Sequence, residues 1–298
     1  MALSRRSFLR TATAAAAAAT TSAAAAKAVL PNSVPLQEPE PKAKTELALN
    51  LEMWLGSFPF AERVHRAADL GFQHFEFWPW RNKDLPALKK AMKETGMQGT
   101  QFTAWGFSPG MNDPKNHDAV LKEIEASCQT AQDLGVPMMT VVGGNDQPGM
   151  TQAQMHGHIT EALKRAAPIA EKYQVMLILE PMNIRVDHKG HCLYGSTSGV
   201  KICREVDSPW VKLNWDLYHM QISEGDLCGR LRDGYDQVGY IQLADHPGRR
   251  EPGTGEIAYG RVMQELWELG YRKPVGVECN PSEDAAKSAA RLRANIVF

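Results

Sequence analysis

Three carboxylates and a carboxamide stand near the ends of four apolar runs in the second half of this 298-residue chain: Glu180 in MLILEPMN, Asp216 in VKLNWDLYH, Gln242 in VGYIQLAD and Glu278 in PVGVECNP. Each run has strand length and β-rich composition, and each carries its polar group at or just before the point where turn residues begin. If the runs are parallel neighbours, the four groups converge on one rim. Three acids and an amide gathered there repel one another unless a cation lies among them. An oxygen-only set suits Mg2+ or Mn2+, with Co2+ tolerated, and the lack of a histidine ligand weighs against zinc. The plainer readings are a salt bridge for Glu180 or Glu278 and a hydrogen bond between strands for Gln242. A cap is the plainer reading for Asp216, disfavoured because Leu217, Tyr218 and His219 read as more strand. His219 is then expected on the loop above the rim, within reach of substrate.

The loop from Asp245 to Glu256 (DHPGRREPGTGE) is rich in Pro and Gly and is expected to form a shaped lid. Arg249 in that lid could present its guanidinium to a carboxylate or to sugar hydroxyls, or pair with Glu251 or Asp245. Glu256 is expected to cap a turn. Trp54, Trp78, Trp80, Trp105 and Phe107 are expected near the ends of the first three strands, as an apolar wall opposite the ion or as core. Glu76 is a candidate partner behind the four.

The elements that must position these groups alternate. Strands are expected at 46–55, 74–80, 98–105, 137–144, 176–183, 211–219, 238–245 and 274–281, with helical patterns between them. Several helices stop at glycine (Gly71, Gly96, Gly135), and Thr151 is a cap candidate. Eight such units in about 250 residues predict an α/β fold, a single-domain (β/α)8 TIM barrel of parallel strands joined by right-handed crossovers. No GxGxxG follows the first strand, which removes the main reason to prefer a dinucleotide-binding sheet. In such barrels active sites lie at the C-terminal ends of the strands, where the four residues fall.

A formal net charge of −1 offers no broad attraction to nucleic acid or anionic lipid. The densest basic spot is Arg249 with Arg250. Five cysteines without a CxxC argue against a zinc ribbon or a dense disulfide framework, and most are expected as buried thiols. Residues 1–28 open with Ser4-Arg5-Arg6-Ser7-Phe8-Leu9 before an Ala/Thr-rich stretch. This is similar to a twin-arginine signal peptide, and implies the export machinery as a partner and a periplasmic location. Residues 29–45, with four prolines, read as an extended linker ahead of a barrel at 46–298.

Taken together, LILEPMN, LNWDLYHMQISEGDL, IQLADHPGRREPGTGEI and VGVECNP resemble the hydroxypyruvate isomerase family of the xylose isomerase-like TIM barrels, and LEMWLGSFPFAERVHRAADLGFQHFEFW resembles its first βαβ unit. The resemblance implies that Glu180, Asp216, Gln242 and Glu278 hold a divalent ion, that Glu180 and Glu278 are also the acid–base pair, and that His219 and Arg249 contact substrate. It implies interconversion of a 2-keto-3-hydroxy compound and its 2-hydroxy aldehyde through a cis-enediolate, as in hydroxypyruvate and tartronate semialdehyde. A ketose epimerase would share the site, although such epimerases usually carry His where Gln242 stands. A carbohydrate-binding barrel without catalysis would not need the intact quartet. An apurinic-site endonuclease would need more histidines and a basic groove. Barrels of this type often pair through helices or rim loops, so a homo-oligomer is compatible with the sequence.

Overall fold

The computed structural model describes residues 45–298. The expectations for residues 1–44, a signal and most of the linker, lie outside the described residues. Eight parallel strands close into a barrel in sequence order: β1 Leu47–Asn50, β2 His74–Phe77, β3 Gln98–Trp105, β4 Met138–Val142, β5 Met176–Glu180, β6 Val211–Asp216, β7 Val238–Leu243 and β8 Val275–Val277, with β1 paired to β8. Ten α-helices accompany them among the described residues: α1 Leu51–Leu55, α2 Phe60–Asp69, α3 Leu85–Thr95, α4 His117–Leu134, α5 Gln152–Tyr173, α6 Ser196–Val206, α7 Leu217–Ser223, α8 Leu227–Gly234, α9 Tyr259–Glu268 and α10 Ala285–Asn295. None of the described helices is long and apolar enough to cross a membrane.

Alternation along the strands separates a core from a polar lumen. On β2, Phe75 and Phe77 flank Glu76; Phe77 stacks on Phe102 and meets Phe60 edge-on. Glu76 is fully buried and is held by amides of other strands. Registers place Asn50 beside Glu76, Asp216 beside Gln242, and Gln242 beside Gly276. Gly276 is required there: a Cβ would lie 2.4 Å from Glu76 Oε2. Thr151 caps α5 in a reciprocal capping box with Gln154. All five cysteines are free thiols, four of them buried.

Every expected strand except 98–105 is shorter than its apolar run, and two of them give way directly to a helix. The first ends at Asn50, whose Oδ1 accepts from the backbone N–H groups of Glu52 and Met53 and starts α1. The sixth ends at Asp216, whose Oδ1 accepts from Tyr218 N at 2.9 Å and starts α7. Leu217, Tyr218 and His219 are therefore helical, and the cap reading of Asp216, disfavoured in the sequence, is correct alongside its place in the site. A buried helix and a buried strand present the same unbroken apolar run, so composition cannot mark where one becomes the other.

Candidate active site

The mouth of the barrel holds a cavity of about 310 Å³ whose lining includes Glu180, Gln242, Glu278, His219, Arg249 and Trp78. Asp216 lies beneath, fully buried, 3.2 Å from Arg249 Nη2. All six residues singled out in the sequence thus meet in one place. Glu180, Asp216 and His219 bring one ligand atom each within 4.8 Å of one another. His219 is not on an overhanging loop; it lies in α7, buried, with Nε2 3.5 Å from Asp216 Oδ2 and 3.8 Å from Glu180 Oε1.

Glu278 and Glu180 enter this cavity from unlike surroundings. Glu278 Oε1 accepts from Trp78 Nε1 at 2.9 Å and from Asn50 Nδ2 at 3.4 Å, and Oε2 accepts from Arg249 Nη2 at 2.7 Å. No hydrogen-bond donor among the described residues reaches the Glu180 carboxylate. Burial, then the charges of Glu278 and Asp216, push its carboxyl well above the ordinary range. Asp216 is pushed up to about 7, by burial first, with Arg249 opposing and Glu278 adding to the rise. Burial first, with the charge of Glu278 second, lifts Glu76 to about 8. His219 is held well below its usual value by burial and by Arg249, and is neutral.

Gln242 donates Nε2–H to Glu76 at 2.7 Å, while its Oε1 accepts from Asn214 at 2.6 Å. That oxygen keeps a second lone pair. Asn50, Glu76, Gln242 and Asn214 form a polar chain below the cavity, and Glu76 Oε2 is buried without a partner.

Arg249 pairs with neither Asp245 nor Glu251. Its Nη2 bridges Asp216 and Glu278, and its guanidinium lies 5.0 Å from the Tyr218 ring centroid. Its φ of 51° is left-handed, a strained state for a side-chain-bearing residue. Two contacts hold it there. Asn280 N donates to Arg249 O at 3.1 Å, and Asp245 anchors the loop by accepting from the backbone N–H groups of His246, Gly253, Thr254, Gly255 and Ile257. The lid is shaped, as its composition predicts. Glu251 serves the neighbouring loop through Ser282 and Arg291. The Glu256 side chain caps no turn among the described residues; it accepts from Gln221 instead. Arg250 points elsewhere, to Pro281 O, so the basic pair is split.

The expected aromatic wall is smaller than five rings. Trp78 and Phe107 line the cavity. Trp54 packs edge-on against Phe72, Trp80 donates to Ser127 and Trp105 donates to Pro109 O. Sequence reasoning missed Asn50, Asn183 and His188. Asn183 donates to His219, and His188 stacks on Phe107 at the cavity wall. The motif MLILEPMN contains Asn183, yet an amide just after a strand carries no sign of which side chain it will meet.

The donor set fits a divalent cation. Buried carboxylates that raise one another's proton affinity are relieved by a positive charge, and among the described residues Arg249 is what supplies it. The buried Glu180–Asp216–His219 cluster marks the place.

A closed parallel barrel with acids at its C-terminal rim defines a class, the xylose isomerase-like TIM barrels, whose family model matches residues 64–295. The chain belongs to that family, and within it to the hydroxypyruvate isomerase kind of sugar and keto-acid isomerase. It is 30% identical over 238 residues to the hydroxypyruvate isomerase of Escherichia coli K12, covering 78% of this chain and 92% of that one. It is 27% identical to the 2-oxo-tetronate isomerase of Pectobacterium atrosepticum, covering 79% and 92% respectively. A solved structure described as a family 2 AP endonuclease from Brucella melitensis superposes with a TM-score of 0.78 at 24% identity, covering 83% of this chain and 97% of that one, and shows the shared fold.

Proposed function

We propose that this protein interconverts a 2-keto-3-hydroxy acid and its 2-hydroxy aldehyde, with hydroxypyruvate and tartronate semialdehyde as the leading pair. The observation that carries the reading is the placement of Glu180 and Glu278, which enter one small cavity from strands three positions apart in the barrel, with Arg249 paired to Glu278 and His219 3.8 Å from Glu180. A cavity of about 310 Å³ is at the small end of ligand sites and suits a three- or four-carbon acid.

Arg249 remains cationic; with Nε and Nη2 engaged by Glu278 and Asp216, its Nη1 is the donor that meets the substrate carboxylate. One glutamate takes the proton from the carbon bearing the hydroxyl, and a glutamate returns a proton at the adjacent carbon. A divalent ion, Mg2+ or Mn2+ with Co2+ tolerated, held by Glu180, Asp216, Gln242 and Glu278, would offset the negative charge of the enediolate. Trp78 and Phe107 narrow the mouth and limit water. Residues 1–28 direct the folded enzyme through the twin-arginine machinery to the periplasm, a reading supported by Arg5-Arg6 together with Phe8-Leu9 and the Ala/Thr-rich stretch that follows and checked by cell fractionation of the full chain.

The deciding test is a product-resolved screen. The enzyme with Mg2+, Mn2+ or Co2+ is offered hydroxypyruvate, 2-oxo-tetronate and a set of ketoses in deuterated water, with products followed by NMR. Aldehyde formation from a keto acid, with deuterium at the carbon that gains a proton, is the expected result. Turnover confined to ketose epimers overturns the proposal in favour of an epimerase, and no turnover with any substrate removes the catalytic reading.

A further inference from the structure

The direction in which His219 faces the cavity is set by a residue that makes no contact with the cavity itself. Asn183 is fully buried, three residues beyond Glu180. Its Oδ1 accepts from the backbone N–H groups of Val186 at 3.0 Å and Asp187 at 3.2 Å. Backbone N–H groups can only donate, so the amide oxygen is fixed on that side and the NH2 on the other. The NH2 donates to Asp187 Oδ2 at 2.7 Å and lies 2.7 Å from His219 Nδ1. An amide nitrogen has hydrogens to give and no lone pair to offer. His219 Nδ1 must therefore be the acceptor, and the ring carries its proton on Nε2, the atom nearest Asp216 and Glu180. A metal-bound histidine is arranged the opposite way: it gives a lone pair to the ion and donates its other N–H to a carboxylate or carbonyl.

We infer that Asn183 is a positioning residue that locks His219 as an Nε2–H donor aimed at a substrate oxygen, and thereby removes His219 from the ligands of the ion. The inference rests on the proposed function for its substrate oxygen but not for its tautomer. It leaves the cation an all-oxygen site, with Glu180 and Asp216 as its members from this side of the barrel. It also separates two jobs that the clustering of Glu180, Asp216 and His219 would otherwise merge.

The test is a long-range 1H–15N correlation spectrum of protein labelled with 15N-histidine, with His219 identified by the signal lost in His219→Gln. The expected result is an Nε2–H tautomer in the metal-free protein that persists when Zn2+, an ion that readily takes histidine ligands, is added. An Nδ1–H tautomer, or an Nε2 signal shifted to that of a zinc ligand, overturns the inference. The double variant Asn183→Asp with Asp187→Asn keeps one amide and one carboxylate in the loop but presents His219 with an acceptor. It should switch the ring to Nδ1–H, tighten Zn2+ binding on the order of tenfold or more, and lower kcat more than it raises KM. An unswitched ring in a folded double variant also overturns the inference. Absence of keto-acid turnover with the expected tautomer would remove the proposed function and leave the tautomer assignment intact.

Discussion

The two catalytic candidates are the same residue type in one cavity and equally buried, and they differ in the hydrogen-bond donors that reach them. Glu278 at the end of β8 is cradled by Trp78, Asn50 and Arg249. Glu180 at the end of β5 has His219 at 3.8 Å and the repulsion of three further acids, Glu278, Asp216 and Glu76. The β7–β8 side therefore gives its carboxylate donors of its own, whereas on the β5–β6 side Glu180 has none and a charge there is disfavoured until a cation enters the cavity. That asymmetry couples ion binding to protonation on one wall and leaves the other wall preorganised. Replacing each glutamate by glutamine is the sharpest probe. Both substitutions should cut turnover on the order of 10²–10⁴-fold or more. Their effects on the metal-free protein at neutral pH should be opposite: Glu180→Gln raises the melting temperature by replacing an acid that must take up a proton on burial, and Glu278→Gln lowers it by leaving Arg249 half-paired. Equal shifts in thermal denaturation would erase the distinction drawn here.

Arg249 is the pivot between the walls, so removing it should hurt more than altering either acid in stability terms. Arg249→Met leaves Asp216 and Glu278 uncompensated in a buried site. Breaking such a pair from one side costs roughly 3–5 kcal/mol, readable from urea denaturation of the metal-free protein. Added Mg2+ or Mn2+ should restore part of that loss, because a divalent ion replaces the missing positive charge.

The same comparison predicts an inverted pH dependence. Asp216, pushed to about 7, Glu76, pushed to about 8, and Glu180 all have folded values above their unfolded ones. The folded metal-free protein therefore binds more protons than the unfolded chain. Their contribution is fully present below the unfolded values near 4 and is lost as pH rises through about 7 to 8. With a divalent ion the sign reverses for Glu180 and Asp216, since the ion binds the carboxylate form. At a hundredfold excess over its Kd the ion adds about 2.7 kcal/mol. Melting curves from pH 5 to 8.5, with Mg2+ and with EDTA, should converge at the acid end and separate as pH rises; a separation that does not grow with pH would mean that these acids do not hold the ion.

Much of this was legible in the sequence, for a definite reason. A parallel barrel turns period and spacing into geometry: an acid at the end of an apolar run has one place to go, and Glu180, Asp216, Gln242 and Glu278 went there. Contacts made across the barrel were not legible. Trp78 meets Glu278 and Gln242 meets Glu76 from strands far apart in sequence, and nothing in either segment names the partner. Strand ends were misplaced at Asn50 and Asp216, because the residue that caps the following helix is also the residue that serves the site. The aromatic wall was overcounted for a related reason. A tryptophan after a strand can turn to the cavity like Trp78 or to the helices like Trp54, and composition does not distinguish the two.

The smallest predicted effect probes the floor beneath both walls. A methyl group at position 276 would sit 2.4 Å from Glu76 Oε2 and 2.8 Å from Gln242 Cγ. Glu76 can yield only by moving against Asn50 and Gln242, both of which it holds by hydrogen bonds. Gly276→Ala should therefore cost roughly 1–3 kcal/mol, the range for an overpacked core, and should lower activity by displacing Gln242 rather than by touching substrate. Shortening the obstructing side chain tests the cause. If the clash with Glu76 is what matters, Gly276→Ala with Glu76→Asp regains stability relative to Gly276→Ala alone, and the two changes are non-additive in a double-mutant cycle. Simple additivity would place the strain in the β8 backbone instead and detach the polar floor from the behaviour of the rim above it.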